Sequence, residues 1–113
     1  MNKSPPLCRL DEIPDGDAIS ARVDTDAGGF ELIVLRQGAH AFAYHNECPH
    51  AGRNLDYAPG RFLVRDGRLI CAAHGATFAV DSGACLGGPC RNGLMAMPIE
   101  IVDGDVRLSA LSD

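Results

Sequence analysis

Short apolar stretches separated by turn residues recur along the whole chain. No window of a dozen residues shows the 3.6-residue period of an amphipathic helix, whereas runs of four to eight β-branched and apolar residues are frequent. The pattern therefore predicts an all-β fold made of antiparallel hairpins. The predicted strands are 18–23, 30–36, 39–44, 61–65, 68–71, 77–80, 96–102 and 105–108.

Three dipeptides mark the tightest hairpin turns. They are Gln37-Gly38, Asp66-Gly67 and Asp103-Gly104, each placed between two predicted strands. Asp-Gly is a strong hairpin signal because a two-residue turn needs positive φ at its central positions, which Gly and Asp tolerate. We expect these turns to fix the register of the flanking strands.

Length and composition limit the class of protein. The 113 residues predict one domain over 1–113, and 46% hydrophobic against 22% charged residues is an ordinary globular balance. No apolar run reaches the ~18 residues of a membrane span. The net charge of −5 disfavours nucleic-acid binding. With no export signal expected at the N-terminus, we predict a soluble, cytoplasmic protein in a reducing compartment, where cysteine is more often metal-binding or catalytic than disulfide-bonded.

Two cysteine–histidine pairs carry the candidate chemistry. Cys48 and His50 form a C-x-H pair, and Cys71 and His74 form a C-x-x-H pair twenty residues further on. Each pair lies on a predicted loop beside a strand, and the hairpin 61–71 can bring the two loops together. Two thiolates and two imidazoles that converge in this way predict a four-ligand metal site.

Four such ligands leave more than one metal possible. Either pair alone could be an ordinary loop, but two pairs in this order favour metal binding. A structural zinc module with a tetrahedral Cys₂His₂ site and no redox role is one interpretation. An iron–sulfur cluster is the other, and the residues around the pairs distinguish them.

The sequence around the pairs resembles the Rieske 2Fe-2S protein family. The similarity includes the run NECPH at 46–50, Gly75 directly after the second histidine, and the aromatic Phe78. It also includes the opening LDEIPDG at 10–16 and the ending PIEIVDG at 98–104. Small bacterial Rieske ferredoxins and the small subunit of assimilatory nitrite reductase are the members that it resembles most.

The resemblance covers about residues 7–109 and has one departure. Twenty residues between the pairs are a few more than is usual in the family, and we assign the excess to the hairpin 61–68. The family implies a Rieske-type antiparallel β sandwich. A small cluster-binding subdomain, about 47–89, is inserted in it.

The resemblance also implies the cofactor and its ligands. One 2Fe-2S cluster would take Cys48 and Cys71 on the buried iron and His50 and His74 on the outer iron. No residue is expected to be catalytic, because such a protein carries electrons and is not itself an enzyme. Its partners would be a reductase and a terminal oxidoreductase, such as a ring-hydroxylating oxygenase. We expect no nucleic-acid or membrane partner, and a monomer or weak oligomer.

The positions after the second histidine predict a low reduction potential. High-potential respiratory members of the family place a serine and a tyrosine where this chain has Ala76 and Phe78. Neither side chain can donate a hydrogen bond to a cluster or ligand sulfur, so reduction should be harder. The predicted function is a low-potential electron carrier. The alternative is an accessory small subunit of an assimilatory nitrite reductase.

The remaining cysteines and histidines have simpler interpretations. Cys85 and Cys90 frame a Gly-Gly-Pro turn, and two half-buried thiols, a disulfide or metal ligation stay open for them. Cys8 is interpreted as a small apolar residue on the first strand. His40 and His45 are expected to face solvent.

Charge is unevenly distributed along the acidic chain. Residues 48–94 contain five Arg and three Asp, a net charge of +2, in a protein of net charge −5. Arg53 and Arg91 flank the expected cluster tip. The sequence therefore predicts that a redox partner presents an acidic or polar rim to this tip.

Overall fold

The computed structural model describes residues 6–25, 28–47, 55–56, 58, 61–71, 75–88 and 93–108. In these residues the only helical element is the short 3₁₀ turn Leu10–Glu12, and every paired strand is antiparallel, so the predicted all-β class is confirmed. None of the described helices is long and apolar enough to cross a membrane. The strands are β1 (Cys8–Arg9), β2 (Ala18–Thr25), β3 (Gly28–Gln37), β4 (His40–His45), β5 (Leu63–Arg65), β6 (Arg68–Ile70), β7 (Thr77–Ala79), β8 (Cys85–Gly87), β9 (Ala96–Met97), β10 (Ile99–Val102) and β11 (Asp105–Leu108).

The strands form three sheets. A central sheet has the order β2-β3-β4-β9, and a three-stranded sheet has the order β1-β11-β10. The third sheet, which we call the insert sheet, has the order β5-β6-β7-β8. Because Ile70 at the end of β6 directly precedes Cys71, the insert sheet carries one of the two cysteine–histidine pairs.

The central sheet is buried on both faces at strand β3. All four residues from Leu32 to Leu35 are 0% exposed, which explains their continuous apolar run. Successive side chains of a strand point to opposite faces. Accordingly, Ile33 and Leu35 join one hydrophobic core and Val34 joins another.

The first core lies between the central sheet and the insert sheet. Ile33, Leu35 and Tyr44 from the central sheet pack in one cluster with Leu69 and Phe78 from the insert sheet. Complete burial of a large apolar side chain contributes about 1.5–3 kcal/mol, so these residues hold the insert sheet firmly in place.

The second core lies under the opposite face of the central sheet. Val34 and Ala43 pack there with Val106 of β11 and with Ile13, which follows the 3₁₀ turn. Arg36 reinforces this side, since its Nη1 donates to the carbonyl oxygen of Ile13 at 2.9 Å.

The hairpin turns predicted at Asp66-Gly67 and Asp103-Gly104 are confirmed. The turn predicted at Gln37-Gly38 lies one residue later, at Gly38 and Ala39, because Gln37 still pairs with His40 at the end of β3. Asp66 has φ of 53° and Gly67 has φ of 73°, and the pair Asp103 and Gly104 has φ of 51° and 83°. Positive φ at both central residues is the type I′ geometry that suits the twist of the flanking strands. Gly38, with φ of 62°, lies in the turn between β3 and β4.

One strand prediction is wrong. The segment 96–102 is two strands, because β9 pairs with β4 in the central sheet whereas β10 pairs with β11 in another sheet. Pro98 separates them and has no backbone N–H to donate to a ladder. The short strand β8 was not predicted, since three residues give too little periodicity.

Tyr44 joins the central sheet to the turn that follows β7. Its hydroxyl donates to the carbonyl oxygen of Val80 at 2.6 Å, and the residue is 2% exposed. The ring lies against Gly83, where an added Cβ would be 2.7 Å from Cε1 of Tyr44. Burial, and then the negative charge of Asp81, raises the pKa of Tyr44 to about 12.

We predict that Tyr44→Phe lowers the free energy of unfolding by about 1–3 kcal/mol near neutral pH, because the buried Val80 carbonyl loses its donor. The pKa of Tyr44 is raised from 10.0 to about 12, so the hydroxyl's contribution is complete below pH 10.0 and is lost as pH rises through about 12. Urea unfolding of both proteins across this range should show the difference shrinking. A difference that is constant with pH would contradict the assignment.

Candidate metal centre

The structure describes one of the four predicted ligands. Cys71 lies in the described part of the chain, whereas Cys48, His50 and His74 lie outside it. Within the described ranges no three His, Cys, Asp or Glu side chains come together as a metal site. The ligand assignment therefore stays a prediction, and the described residues show instead how the two ligand-bearing loops begin and end.

Cys71 is a free, fully buried thiol at the end of β6. Its side chain belongs to the first core, together with Leu69 and Phe78. A free thiol at 0% exposure suits a thiolate ligand whose metal must be kept from water. The chemistry of this donor therefore fits the buried side of a two-cysteine, two-histidine cluster.

Two backbone hydrogen bonds close the loop that begins at Cys71. Its N–H donates to the carbonyl oxygen of Ala76 at 2.7 Å, and its own carbonyl oxygen accepts from the N–H of Gly75 at 2.9 Å. Gly75 has φ of 77°, a left-handed conformation that glycine adopts without strain. Since His74 lies between these residues in sequence, the ends of its loop are fixed.

Asn46 closes the other loop. It is the one buried polar or charged residue in the described part of the chain, at 6% exposure. Its Oδ1 accepts from the backbone N–H of Leu55 at 2.7 Å, which joins the two ends of the segment 46–55. Cys48 and His50 lie inside this segment in sequence.

Two carboxylates orient the Asn46 amide. Its Nδ2 donates to Oδ1 of Asp56 at 3.3 Å and to Oε1 of Glu31 at 3.5 Å, while its backbone N–H donates to the carbonyl oxygen of Glu31 at 3.0 Å. An amide satisfies this arrangement because one end donates and the other accepts. A carboxylate at position 46 would instead face two like charges.

The segment after β8 packs closely on the second loop. A Cβ added at Gly88 would lie 2.8 Å from the carbonyl oxygen of Gly75 and 2.9 Å from Cα of Ala76. Gly88 also has φ of 82°. Only glycine permits this approach, so the segment after β8 lies directly against the loop that begins at Cys71.

The two positions that predict a low potential lie in the interior. Ala76 and Phe78 are each 0% exposed and belong to the first core. Neither side chain carries a donor, so the described surroundings of Cys71 offer it no side-chain hydroxyl from these positions.

The other singled-out residues have clear places. Cys85 is disulfide-bonded, and its partner lies outside the described residues because Cys8 and Cys71 are free. Of the three interpretations left open for Cys85, this supports the disulfide and excludes both a free thiol and a metal ligand. Cys8 packs against the second core as predicted, and burial, followed by the charge of Glu12, raises its pKa to about 11.

The two remaining histidines differ. His40 is exposed, as predicted, but the expectation for His45 is wrong because it is half-buried on β4, paired with Leu32. Its backbone N–H donates to the carbonyl oxygen of Met95 at 2.9 Å. The role of Asn46 was missed, since nothing in the run 46–50 shows that Glu31 lies beside it.

Comparison with known proteins identifies a family that matches most of the chain. The family described as Rieske [2Fe-2S] domain matches residues 3–98. The ferredoxin component of the alkene monooxygenase system of Xanthobacter autotrophicus is 30% identical over 101 residues, which cover 88% of this chain and 75% of that protein.

Two solved structures are also similar. The ferredoxin of carbazole 1,9a-dioxygenase from Nocardioides aromaticivorans IC177 is 25% identical with a TM-score of 0.74, covering 95% of this chain and 97% of that one. A nitrite reductase small subunit from Mycobacterium tuberculosis is 20% identical with a TM-score of 0.68 and full coverage of both chains. The second likeness shows the fold alone.

We predict that Asn46→Ala lowers the free energy of unfolding by about 1–3 kcal/mol, because the buried N–H of Leu55 loses its acceptor. Asn46→Asp should cost at least as much, since it removes a donor and adds a third carboxylate. Ser82→Ala is the matched control, because Oγ of Ser82 accepts from the N–H of Ala84 at an exposed turn. Urea unfolding should show little change for the control, and equal effects of all three would contradict a special role for Asn46.

Proposed function

Because the chain belongs to the Rieske 2Fe-2S domain family, we propose that it is a low-potential electron carrier that passes single electrons from a reductase to a terminal oxygenase. The observation that carries the proposal is the pair of closed loops, each with one cysteine and one histidine, inside the family match. The similarity to ferredoxin components of oxygenase systems supports this function rather than an enzymatic one. A cytoplasmic location is part of the proposal.

We assign the cluster to four residues. Cys48 and Cys71 would hold one iron, and His50 and His74 would hold the other. When bound, the group supplies a site that gains and loses one electron, and neutral imidazoles in place of two thiolates make that gain easier. The full burial of Cys71 supports its place on the inner iron.

The chain's own contribution is to hold the loops and exclude water. The bonds from Asn46 to Leu55 and from Cys71 to Ala76 fix the loop ends. The first core fills the space behind Cys71, which lowers the local polarity. A frame that changes little between oxidation states suits a protein whose task is repeated electron transfer.

The same comparisons bear on the two alternative functions, a nitrite reductase small subunit and a structural zinc module. A nitrite reductase small subunit shares the fold, but the 30% identical relative is a ferredoxin component of a monooxygenase system, which favours the oxygenase setting. A structural zinc module is disfavoured by the family match, whose description specifies a 2Fe-2S group. Metal analysis distinguishes iron from zinc directly.

We expect the purified protein to be red-brown, with about two irons and two acid-labile sulfides per chain. On reduction it should give a rhombic electron paramagnetic resonance signal. Replacing any one of the four assigned ligands, for example His74→Ala, should abolish that signal. His40→Ala is the control, because His40 is exposed on β4 and should leave the signal unchanged. A colourless protein that contains one zinc would overturn the proposal.

The reduction potential should lie near the lower end of the Rieske range of about −150 to +300 mV, because neither Ala76 nor Phe78 can donate to sulfur. Ala76→Ser should raise it, since a hydroxyl bonded to sulfur stabilises the added negative charge. Ala79→Ser is the matched control, because Ala79 lies three residues after Ala76, on β7, and is only half-buried. A redox titration that gives the native protein more than about +150 mV would contradict this reasoning.

A further inference from the structure

The insert sheet has one face in the core and one outer face. Val64, Leu69, Phe78 and Cys85 occupy neighbouring positions in the strand register and pack in the first core or against it. The residues that alternate with them point away from that core. We call the latter the outer face, and it consists of Leu63, Arg65, Arg68, Ile70, Thr77, Ala79 and Gly87.

Two arginines stand directly opposite each other on the outer face. Arg65 and Arg68 are register partners at the end of the β5–β6 hairpin, and both are exposed. Like charges in directly opposite positions destabilise a pair of strands. Such an arrangement does not serve the hairpin's own stability, which suggests that these charges serve something outside the chain.

These arginines differ from three others in the described part of the chain. Arg9 and Arg107 both pair with Asp105, and Arg36 donates to backbone carbonyl oxygens. By contrast, Arg65 and Arg68 form no ion pair with any described residue. The sequence offers them little else, because from residue 57 to residue 80 the only acid is Asp66, which is exposed in the turn.

Apolar surface adjoins the two charges. Leu63 is 41% exposed and Leu86, in β8, is 53% exposed. A shallow depression of about 390 Å³ lies on this side of the sheet, lined by Arg68, Thr77, Leu86, Gly87 and Gly88. Exposed leucines beside unpaired arginines are typical of a surface that a protein partner covers.

The outer face is continuous with the candidate metal centre. Ile70 directly precedes Cys71, and Gly88 approaches the backbone of Gly75 and Ala76. A partner that reaches the Cys71 loop therefore has the outer face beside it. Arg68 lies two residues before Ile70 on the same strand, a distance of about 7 Å.

We propose that the outer face is a docking surface for the acidic surface of a protein redox partner. Arg65 and Arg68 meet its carboxylates, and Leu63 and Leu86 make the apolar contacts beside them. This inference rests on the proposed function and extends it, because it places the contact on the side of the insert sheet as well as at the tip. The net charge of −5 makes a nucleic acid the wrong occupant.

The probe is cytochrome b5, a small haem protein with carboxylates around its exposed haem edge. One electron leaves the reduced protein and converts the ferric haem to ferrous, with no other bond changed. Both the second-order rate of this step and the affinity of the two proteins are measured at low ionic strength. The affinity measurement does not require electron transfer. If the purified protein contains no reducible cluster, the proposed function is wrong, but the affinity measurement still tests the docking surface.

The variants separate local charge from net charge. Arg65→Gln with Arg68→Gln changes the formal net charge from −5 to −7. Lys3→Gln with Arg22→Gln makes the same change at positions outside the insert sheet in sequence, and it is the control. We expect the double variant to lower rate and affinity several-fold and the control to have a much smaller effect. Equal losses in both would mean that only net charge matters and would overturn the docking surface, as would no loss in the double variant.

Salt and stability complete the test. The arginine effect should vanish at high salt, whereas the loss caused by Leu86→Ser should persist, because apolar contact is not screened. The double variant should unfold at the same or a higher temperature than the native protein, since it removes a like-charge pair. If the double variant instead unfolds at a lower temperature than the native protein, the arginines stabilise the fold, and this would contradict the docking surface. Loss of binding to heparin, with cytochrome b5 unaffected, would assign them to a polyanion.

Discussion

The structure depends on covering both faces of strand β3. Its residues Leu32–Leu35 cannot be left in water, and a single second layer can cover only one side of a sheet. The sheet β1-β11-β10 covers one face and the insert sheet covers the other. The position of Cys71 follows from this requirement, because the strand that ends beside it is part of the cover. Packing that stabilises the fold thus also places the candidate metal centre.

At the candidate metal centre, apolar packing positions the insert sheet and hydrogen bonds fix the ends of the loops. Burial of Phe78 and Leu69 against Ile33 fixes the insert sheet but does not specify how a loop leaves it. The loop ends are specified by directional bonds, from Asn46 to Leu55 and between Cys71 and Ala76. Buried hydrogen bonds of this kind are costly to break, because the freed groups cannot reach water. The loops are therefore closed by the chain itself.

How far the sequence predicts this arrangement depends on the range of each interaction. The hairpins at Asp66-Gly67 and Asp103-Gly104 were predictable, since the backbone requirement is local. The break in the strand at Pro98 could have been predicted, because proline has no backbone N–H to donate. The move of the chain from one sheet to another at this point could not. The function of Asn46 requires Glu31 to be adjacent, which only the β3–β4 pairing establishes. The ligand pairs were evident from spacing, and their assignment and the subdomain limits 47–89 stay predictions.

Charged side chains are arranged differently in the sheet β1-β11-β10 and in the insert sheet. On the first, Asp105 binds Arg9 and Arg107, so those charges stabilise local structure. On the insert sheet, Arg65 and Arg68 face each other and form no ion pair with a described residue, so their field extends into solvent. An acidic chain with a basic face has a charge asymmetry that turns it toward an acidic partner before contact. Orientation of this kind raises the rate of encounter between the two proteins. An electron carrier that binds two partners in succession needs a high encounter rate, because it must not bind either partner tightly.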